Sequence, residues 1–409
     1  MTLERVRTAI TTHAPELIAL RRLLHAHPEL SGCEHQTTEI LAERLAAEGL
    51  TPTLLSTGTG LVCDIAMDAD SQEVRGPIVA LRADIDALAM DDRTTTAHRS
   101  QLAGVAHACG HDAHAAVVLG AALALLDARR AAPRPGIVRI IFEPSEEIVP
   151  GGAVDVIADG WLEGVLAIYG VHCDPKVDCG YVGLKAGPLT SAADKFEITL
   201  TGPGGHTARP EETVDLVRWT GRIADQLADR IREHVPADVT VVLGSVHAGA
   251  AANVIPATAT LGGSLRTPHR SAWLVGEQAL RATLDDLIAG AEPVHRPEWT
   301  LAYTRGVPPV INDPDTTETV RQVALTLLGP DGVVDTEQSM GGDSFAWYAE
   351  LVPGTYVRLG THDPGTGESR GDLHSATFDI DEGAIAVGAS LLAGTALAAL
   401  AAADGPSVD

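Results

Sequence analysis

Aromatic residues are scarce in this sequence, and long hydrophobic runs are missing. Aromatics make up only 3% of the 409 residues although hydrophobic residues make up 45%, so the core must be aliphatic. No window of about 18 consecutive apolar residues appears, because Gly388 and Gly394 interrupt the Ala/Leu-rich C-terminal run. We therefore expect no transmembrane span. Residues 1–16 include acidic side chains and no apolar signal-peptide segment, which favours a cytoplasmic protein.

Basic residues are also few, and cysteines do not form a disulfide pattern. The chain has 29 basic and 55 acidic residues, giving a net charge of −26 that repels nucleic acid and anionic membranes. We expect neither as a partner and attribute the acidic surface to solubility. The five cysteines are odd in number and irregularly spaced, so most should be free thiols. A nicotinamide enzyme is disfavoured because Gly58-Thr59-Gly60 is too short for the glycine fingerprint.

The order of apolar segments predicts an α/β fold with an inserted second domain. Strand-like runs alternate with helical patterns, which indicates a mostly parallel sheet with helices on both faces. After about residue 188 the pattern becomes β-α-β-β-α, typical of a small α+β domain with an antiparallel sheet, here expected to have four strands and two helices. We therefore assign residues 1–187 and 300–409 to a discontinuous catalytic domain and 188–299 to the insertion.

Three polar clusters follow apolar strands of the predicted sheet. Asp84 follows the apolar run 77–81, Glu146 and Glu147 follow the strand 137–142, and His172 follows the strand 165–171. In parallel sheets, ligands gather at the carboxyl ends of the strands. This placement predicts a functional site there.

The segment from His107 to His114 contains one thiol and three imidazoles within eight residues. Cys109 and His111 lie two apart, with Gly110 allowing a tight backbone, so both can reach one metal ion or two adjacent ions. Asp112 is a candidate to orient these ligands. The alternative is a polar loop that only begins the next helix, but the density of donors favours metal binding.

Glu146 and Glu147 are neighbouring carboxylates at the end of a strand. Such a pair is costly unless a cation or a proton neutralises one of them. One carboxylate is then expected to bind metal while the other acts as a general base. A solvated acidic loop is the alternative interpretation.

The remaining candidates carry less weight when taken alone. His172 and His374 would each pass for an ordinary histidine, and they gain weight only as the missing ligands of a two-metal site. Asp84 and Asp86 are either caps at the end of a strand or carboxylates that orient His111.

Three candidates for substrate binding lie in the predicted insertion. His206 follows Gly204-Gly205, whose missing side chains let a ligand approach closely, although a simple turn is the alternative. Asn253 and Arg266 lie at the edges of predicted strands. Arg266 either pairs with a substrate carboxylate or faces solvent.

Seven ordered motifs together carry a family signature between about residues 20 and 395. The chain resembles the hippurate hydrolase and indole-acetyl-amino-acid hydrolase branch of the aminoacylase and carboxypeptidase superfamily. The thiol in the Cys-Gly-His-Asp motif marks this branch. The motifs are Leu81 to Leu88, His107 to His114, Phe142 to Glu147, Gly170 to His172, Gly204 to Pro210, Asn253 to Pro256, and Leu373 to Ser375.

The resemblance implies a metal-dependent amidohydrolase that converts N-acyl or N-aroyl amino acids into a carboxylic acid and a free amino acid. It implies two divalent ions, Mn²⁺ or Zn²⁺, with Ni²⁺ and Co²⁺ as alternatives. It further implies a homodimer formed through the insertion, with His206 reaching a neighbouring subunit's active site and Asn253 and Arg266 binding substrate. The implied metal ligands are Cys109, His111, Glu147, His172 and His374, and the implied catalytic residues are Glu146 as the base, Asp84 and His206.

The chain departs from the family pattern at three places. Relatives usually have Gln-Pro where this chain has Glu143-Pro144, and Glu-Asp-Phe where it has Asp343-Ser344-Phe345. Relatives often have proline where Ala376 stands. None of these departures removes a predicted ligand, but they leave substrate preference open. A dipeptidase or carboxypeptidase on the same scaffold is the main alternative, followed by a non-catalytic metal-binding protein.

Overall fold

The structure is a computed structural model that describes residues 3–68, 76–290, 292–365 and 371–403. The chain forms two compact units. The larger unit comprises Met1–Leu189, Ile311–Glu337 and Ser344–Asp409, and the smaller unit comprises Thr190–Val310 and Gln338–Asp343.

The strands differ in length along the described part of the chain. In order, the described strands are β1 (Thr53–Leu54), β2 (Leu61–Ala66), β3 (Ile78–Asp84), β4 (Ile137–Glu143), β5 (Val165–Asp178), β6 (Val182–Leu184), β7 (Gly187–Pro188), β8 (Ala192–Thr201), β9 (Gly205–His206), β10 (Thr240–Ala248), β11 (Val254–Ile255), β12 (Thr258–Thr267), β13 (Glu298–Thr304), β14 (Ile311–Asn312), β15 (Val333–Asp335) and β16 (Gly354–His362).

The described α-helices alternate with these strands along the chain, and α5 and α6 belong to the smaller unit. In order they are α1 (Leu3–Ala26), α2 (His35–Ala47), α3 (His111–Ala131), α4 (Ala153–Ala158), α5 (Leu216–Arg230), α6 (Arg270–Ala289), α7 (Pro314–Leu328), α8 (Phe345–Ala349) and α9 (Gly383–Ala403).

The larger unit is built on an eight-stranded sheet with the order β1-β2-β4-β3-β5-β16-β6-β15. Its centre, β4-β3-β5-β16, is parallel, whereas β1, β2 and the β16–β6 pair run antiparallel. Every residue of β4 is buried, as expected for a central strand covered on both faces. The predicted mostly parallel sheet is confirmed.

Helices cover both faces of this sheet. On one face, α1, α2, α3, α7 and α9 enclose an aliphatic cluster that includes Leu81, Val357 and Leu359. A Cβ at Gly120 would lie 2.6 Å from Leu17, so this glycine lets α1 and α3 pack closely. On the other face, Phe345 in α8 stacks on the ring of Tyr356, with centroids 4.5 Å apart.

Two helices of the larger unit, α3 and α9, are long and apolar enough to cross a membrane by length and composition alone. Their most apolar stretches are 94% and 72% buried inside the protein, because both helices belong to the aliphatic core. A core helix that is covered on most sides needs this composition.

The smaller unit contains a four-stranded sheet with the order β10-β12-β8-β13, antiparallel throughout. Buried residues of α5 and α6 share one apolar cluster with the sheet, including Ile198, Leu261, Leu280 and Leu284. The predicted four-stranded antiparallel sheet with two helices is confirmed. The fourth strand, β13, is mostly exposed and crosses the expected boundary at residue 299, and this unit continues to Val310.

Candidate metal centre

The carboxyl ends of the central strands carry the candidate site. Asp84 ends β3 and Glu143 ends β4, and the two residues are paired across the parallel ladder. His172 lies within the neighbouring strand β5, which continues to Asp178, so the expectation that this strand ends before His172 is wrong. The turn that follows β4 carries Glu146 and Glu147. The sheet therefore brings three segments of distant sequence to one edge.

Gly110 shapes the loop that presents Cys109 and His111. It precedes the first residue of α3 with φ of 90°, in the left-handed region. A Cβ at this position would lie 2.8 Å from the sulfur of Cys173. Only glycine fits such a backbone against this neighbour, so the two flanking side chains are held next to each other.

All five predicted metal ligands lie close together. The Sγ of Cys109 is 3.5 Å from Nε2 of His172. The Oε1 of Glu147 is 3.8 Å from Nε2 of His111 and 3.4 Å from Nε2 of His374. Donor atoms of Cys109, His111 and His172 lie within 4.8 Å of one another, as do those of Cys109, Glu147 and His374. Cys109 thus belongs to two overlapping groups of three donors.

The hydrogen bonds of His111 and His172 leave the Nε2 of each ring directed at the cluster. Nδ1 of His172 lies 2.7 Å from the carbonyl of Cys173, and Nδ1 of His111 lies 3.1 Å from Oδ1 of Asp86. Among the described residues, Nε2 of His111 and Oε1 of Glu147 are buried without a hydrogen-bond partner. Buried polar atoms without a partner are costly, and a divalent cation would satisfy both. The residues therefore fit a metal centre.

The electrostatics of the cluster favour a positive ion. Burial raises the pKa of the Cys109 thiol well above its usual range and lowers the pKa of His172 well below it. For His111, burial is the largest influence and acts to lower the pKa, but Asp84, Cys109 and Asp86 together outweigh it and raise the pKa well above the usual value. A cation beside Cys109 would stabilise the thiolate that burial alone disfavours.

Asp86, rather than Asp84, makes the hydrogen bond to His111. The carboxylate of Asp84 lies 2.5 Å from Nδ1 of His114 and 3.6 Å from the Nε2 of His111. The Nε2 of His114 accepts the backbone N–H of Cys173 at 2.8 Å, so both nitrogens of His114 are used inside the protein. His114 is therefore not available as a ligand although it lies beside the cluster.

Asp112 differs from the sequence-based expectation that it orients the ligands. Its Oδ2 lies 2.7 Å from Nε of Arg21 and 2.8 Å from Nδ1 of His25. Both side chains belong to α1, so Asp112 anchors the first turn of α3 to the N-terminal helix. These contacts support the start of the helix that carries His111.

Glu146 lies beside the donor cluster and is half-buried. A carboxylate oxygen of Glu146 lies within 4.8 Å of the donor atoms of both His111 and Glu147, and its Oε1 accepts the N–H of Ser344 at 3.1 Å. The preceding residue, Ser145, has a φ of 59°, a strained conformation for a residue other than glycine. Strain of this kind is common where a turn must present functional side chains.

Glu34 holds the strained turn in place, and sequence reasoning missed this residue. Its side chain is fully buried, and its Oε1 accepts the backbone N–H groups of Ser145 at 2.7 Å and of Gly32 at 2.9 Å. A single glutamate at the start of an ordinary helix carries no local signal of this role.

His374 is also held in a strained conformation, with a φ of 60°. Its N–H donates to the carbonyl of Ala108 at 2.8 Å, which ties the loop before α9 to the segment carrying Cys109. The side chain remains 53% exposed and reaches Glu147. This backbone contact places a residue more than 260 positions away in sequence within the cluster.

The three candidates for substrate binding lie in the smaller unit. His206 in β9 pairs with Val254 in β11, and Asn253 directly precedes that strand, so the structure brings His206 and Asn253 together on one two-stranded ribbon. Arg266 lies in β12, where its Nη1 donates to the carbonyl of Met340 at 3.4 Å. His206 and Asn253 are exposed. Their roles stay predictions.

Comparison with known proteins gives matches over most of the chain. The sequence profile of peptidase family M20/M25/M40 matches residues 80–398. A protein of Rhodococcus jostii named putative glutamate–cysteine ligase 2-3 is 42% identical over 92% of this chain, but the chain spans only 46% of that relative's length. An N-acetylcysteine deacetylase of Bacillus subtilis is 37% identical over 94% of this chain and 97% of the relative.

A plant relative and a solved structure agree with this family. The Arabidopsis thaliana protein named IAA-amino acid hydrolase ILR1-like 2 is 33% identical over 93% of this chain and 84% of its own length. A Bacillus subtilis crystal structure described as a dinuclear metal-binding peptidase of the M20 family covers 96% of this chain, and this chain covers 99% of it. The TM-score is 0.82 and the sequence identity is 32%. The chain therefore belongs to peptidase family M20/M25/M40 and is an enzyme of the metal-dependent amidohydrolase class.

Proposed function

We propose that this protein hydrolyses the amide bond of N-acyl amino acids, releasing a carboxylic acid and a free amino acid. The observation that carries the proposal is a cluster of thiol, imidazole and carboxylate donors with a further carboxylate, Glu146, beside it. A carboxylate that can take up and return a proton next to a metal centre is what a hydrolytic site needs as its general base. The names of two matched relatives, a deacetylase and an amino acid hydrolase, support the same reaction class.

The proposed site holds two divalent ions. The set of one thiolate, three imidazoles and one carboxylate suits zinc or manganese, with nickel and cobalt as alternatives. The description of the solved relative as a dinuclear metal-binding peptidase supports the number of ions. The residues that would hold the ions are Cys109, His111, Glu147, His172 and His374. When bound, such ions supply Lewis acidity and lower the pKa of a water molecule.

In the proposed mechanism Glu146 moves the protons. It takes a proton from the water that attacks the amide carbon and then delivers it to the nitrogen of the leaving amino acid. The N–H of Ser344 keeps one oxygen of Glu146 in place, while the backbone of the turn fixes its distance from Glu147. Asp84 acts behind the site by fixing His114 and neutralising Arg82.

The smaller unit supplies substrate contacts in this proposal. His206 would donate a hydrogen bond to the oxyanion that develops on the amide oxygen. Arg266 would pair with the carboxylate of the amino acid, and Asn253 would hydrogen-bond to the substrate. We further propose a homodimer formed through this unit, in which His206 serves the active site of the neighbouring subunit. A cytoplasmic location remains a prediction.

N-acetyl-L-cysteine is the first substrate to test. A matched relative that this chain covers over 97% of its length is named for deacetylation of N-acetylcysteine. The ligase name of the Rhodococcus jostii relative belongs to a protein about twice as long as the matched region, so it carries no ligase activity over to this chain. Indole-acetyl amino acids and hippurate form the second group of test substrates, because the plant relative is named for that reaction.

The deciding experiment uses metal-free protein reconstituted with Mn²⁺ or Zn²⁺. Release of free amino acid is measured for N-acetyl, N-benzoyl and indole-acetyl amino acids and for dipeptides with the same C-terminal residue. We expect kcat/KM to be at least tenfold higher for one N-acyl series than for the dipeptides. A preference for dipeptides would establish the peptidase alternative, and bound metal without hydrolysis of any amide would contradict the enzymatic proposal.

A further inference from the structure

We propose that Glu143 and Ser344 are positioning residues for Glu146, and that the negative charge required by buried Arg82 can stand at position 143 or at position 344. The inference rests on the proposed role of Glu146 as the base. The two positions lie about 200 residues apart in sequence and meet around one guanidinium group.

Arg82 is a fully buried cation inside the larger unit. Its Nε lies 2.6 Å from Oε2 of Glu143, and its Nη1 lies 2.8 Å from Oδ2 of Asp84. Its Nη2 donates to the hydroxyl of Ser344 at 2.9 Å. A buried charge of this kind depends on its partners, since removal of one partner leaves an uncompensated ion in a low-dielectric environment.

Glu143 connects the guanidinium to Ser344. Its Oε1 accepts the hydroxyl of Ser344 at 2.5 Å, while its Oε2 accepts the hydroxyl of Tyr348 at 3.0 Å in addition to the bond from Arg82. Both oxygens of a fully buried carboxylate are therefore committed. The orientation of Ser344 is fixed from two sides, by one acceptor and one donor.

Ser344 in turn contacts the proposed base directly. Its backbone N–H donates to Oε1 of Glu146 at 3.1 Å. A Cβ added at Gly151 would lie 2.5 Å from the Cβ of Ser344, so the turn carrying Glu146 also packs closely against this residue. A shift of Ser344 must move the donor to Glu146, and misplacement of a catalytic group by about 1 Å can cost about 100-fold in rate.

Positions 143 and 344 meet at one cation. Each position lies within hydrogen-bond distance of the guanidinium of Arg82. Replacing Glu143 by glutamine and Ser344 by aspartate would move one carboxylate from one side of the cation to the other and leave the total charge unchanged. Because both positions contact the same guanidinium, the effects of the two substitutions should be coupled.

A double-mutant cycle tests the exchange. We expect Glu143→Gln to lower kcat about 100-fold with unchanged KM and metal content. Ser344→Asp alone should also lower kcat, because its carboxylate lies against that of Glu143. The double variant E143Q/S344D should recover kcat to within tenfold of the wild type. Both single variants should move the acidic limb of the pH–rate profile, and the double variant should restore it.

The inference would be overturned if the two substitutions lowered kcat independently of each other. If E143Q/S344D is no more active than the weaker single variant, or if Glu143→Gln has the kcat and pH profile of the wild type, positions 143 and 344 do not share this role. Tyr348→Phe provides a milder disturbance that keeps all charges, and it should lower kcat severalfold without changing KM. Wild-type kcat in that variant also counts against the proposal.

A matched control lies on the same strand. Arg139 in β4 makes a two-point ion pair with Asp64 at 2.8 and 2.7 Å, four residues before Glu143. Asp64→Asn removes a comparable charge, yet kcat should stay within twofold and Ser344→Asp should give no rescue. Glu146→Gln separates the two proposals: if that variant is inactive while the cycle shows no coupling, only the positioning role fails. Full activity of Glu146→Gln would instead defeat the proposed base.

Discussion

Asp86 holds His111 in the orientation that leaves its Nε2 directed at the donor cluster. Oδ1 of Asp86 lies 3.1 Å from Nδ1 of His111, and its backbone carbonyl lies 3.0 Å from the same nitrogen. Oδ2 of Asp86 accepts the N–H of Glu147 at 2.9 Å. One fully buried carboxylate therefore fixes two of the five proposed ligands.

Asp86→Asn should weaken metal binding without removing a ligand. The amide keeps the shape of the side chain but weakens the contacts to His111 and Glu147, so we expect the metal affinity to fall about 10- to 100-fold. Competition titration with a chromophoric chelator measures this change. Asp313→Asn, at the N-terminus of α7 and outside the site, should bind metal like the wild type because asparagine also caps helices. Wild-type affinity in Asp86→Asn would remove this orienting role.

Cys109→Ala should reduce the bound metal. This thiol belongs to two groups of donors, one with His111 and His172 and the other with Glu147 and His374. We expect less than half of the wild-type metal to survive dialysis, measured by inductively coupled plasma mass spectrometry. Cys63→Ala is the matched control, since Cys63 is an equally buried thiol in the aliphatic core, where burial raises its pKa to about 11. If both variants keep the wild-type content, Cys109 is not a ligand.

The pairing of Arg21 with Asp112 predicts a loss of stability in acid. Burial alone would raise the pKa of Asp112, but Arg21 and His25 outweigh it and hold that pKa well below its usual range. Because the pKa is lower in the folded than in the unfolded state, the pair stabilises the fold above about pH 4. The stabilisation is lost as the pH falls through the folded-state value.

Asp112→Asn tests this stabilisation through urea unfolding of the metal-free protein between pH 7 and pH 2. Breaking one partner of a buried pair costs about 3–5 kcal/mol, so the free energy of unfolding should fall by that amount at neutral pH and vary less with acid. Asp127→Asn removes an exposed partner of Arg130 and should cost at most about 1 kcal/mol. Parallel pH curves for Asp112→Asn and the wild type would contradict the linkage.

The fold could be predicted where burial produces a clear hydrophobic pattern in the sequence. The strand Ile137–Glu143 is mostly apolar and buried along its whole length because both faces are covered, and α3 and α9 are apolar almost all round because they lie inside the core. β13 lacked such a pattern, since only Leu301 is buried and the strand packs along an edge of the smaller sheet. A strand with mostly exposed side chains leaves little periodic signal.

The site could be predicted only in part, and the limit is physical. Cys109 and His111 share one short loop, so the sequence alone predicts that both can bind a metal. His172 and His374 join them through a parallel strand and a loop contact to Ala108, which no local pattern encodes. The sequence could not decide whether Asp84 or Asp86 is the partner of His111, because the two carboxylates lie only two residues apart. The structure shows that Asp86 makes the hydrogen bond.

The central claim is that Glu146 is the general base beside a metal centre built from other residues. The most direct measurement compares Glu146→Gln with the wild type for both metal content and turnover of N-acetyl amino acids. We predict unchanged metal content and a fall in kcat of about 10²- to 10⁴-fold or more. The surface variant Glu163→Gln should keep both properties. A Glu146→Gln enzyme that binds metal and turns over at the wild-type rate would contradict the account.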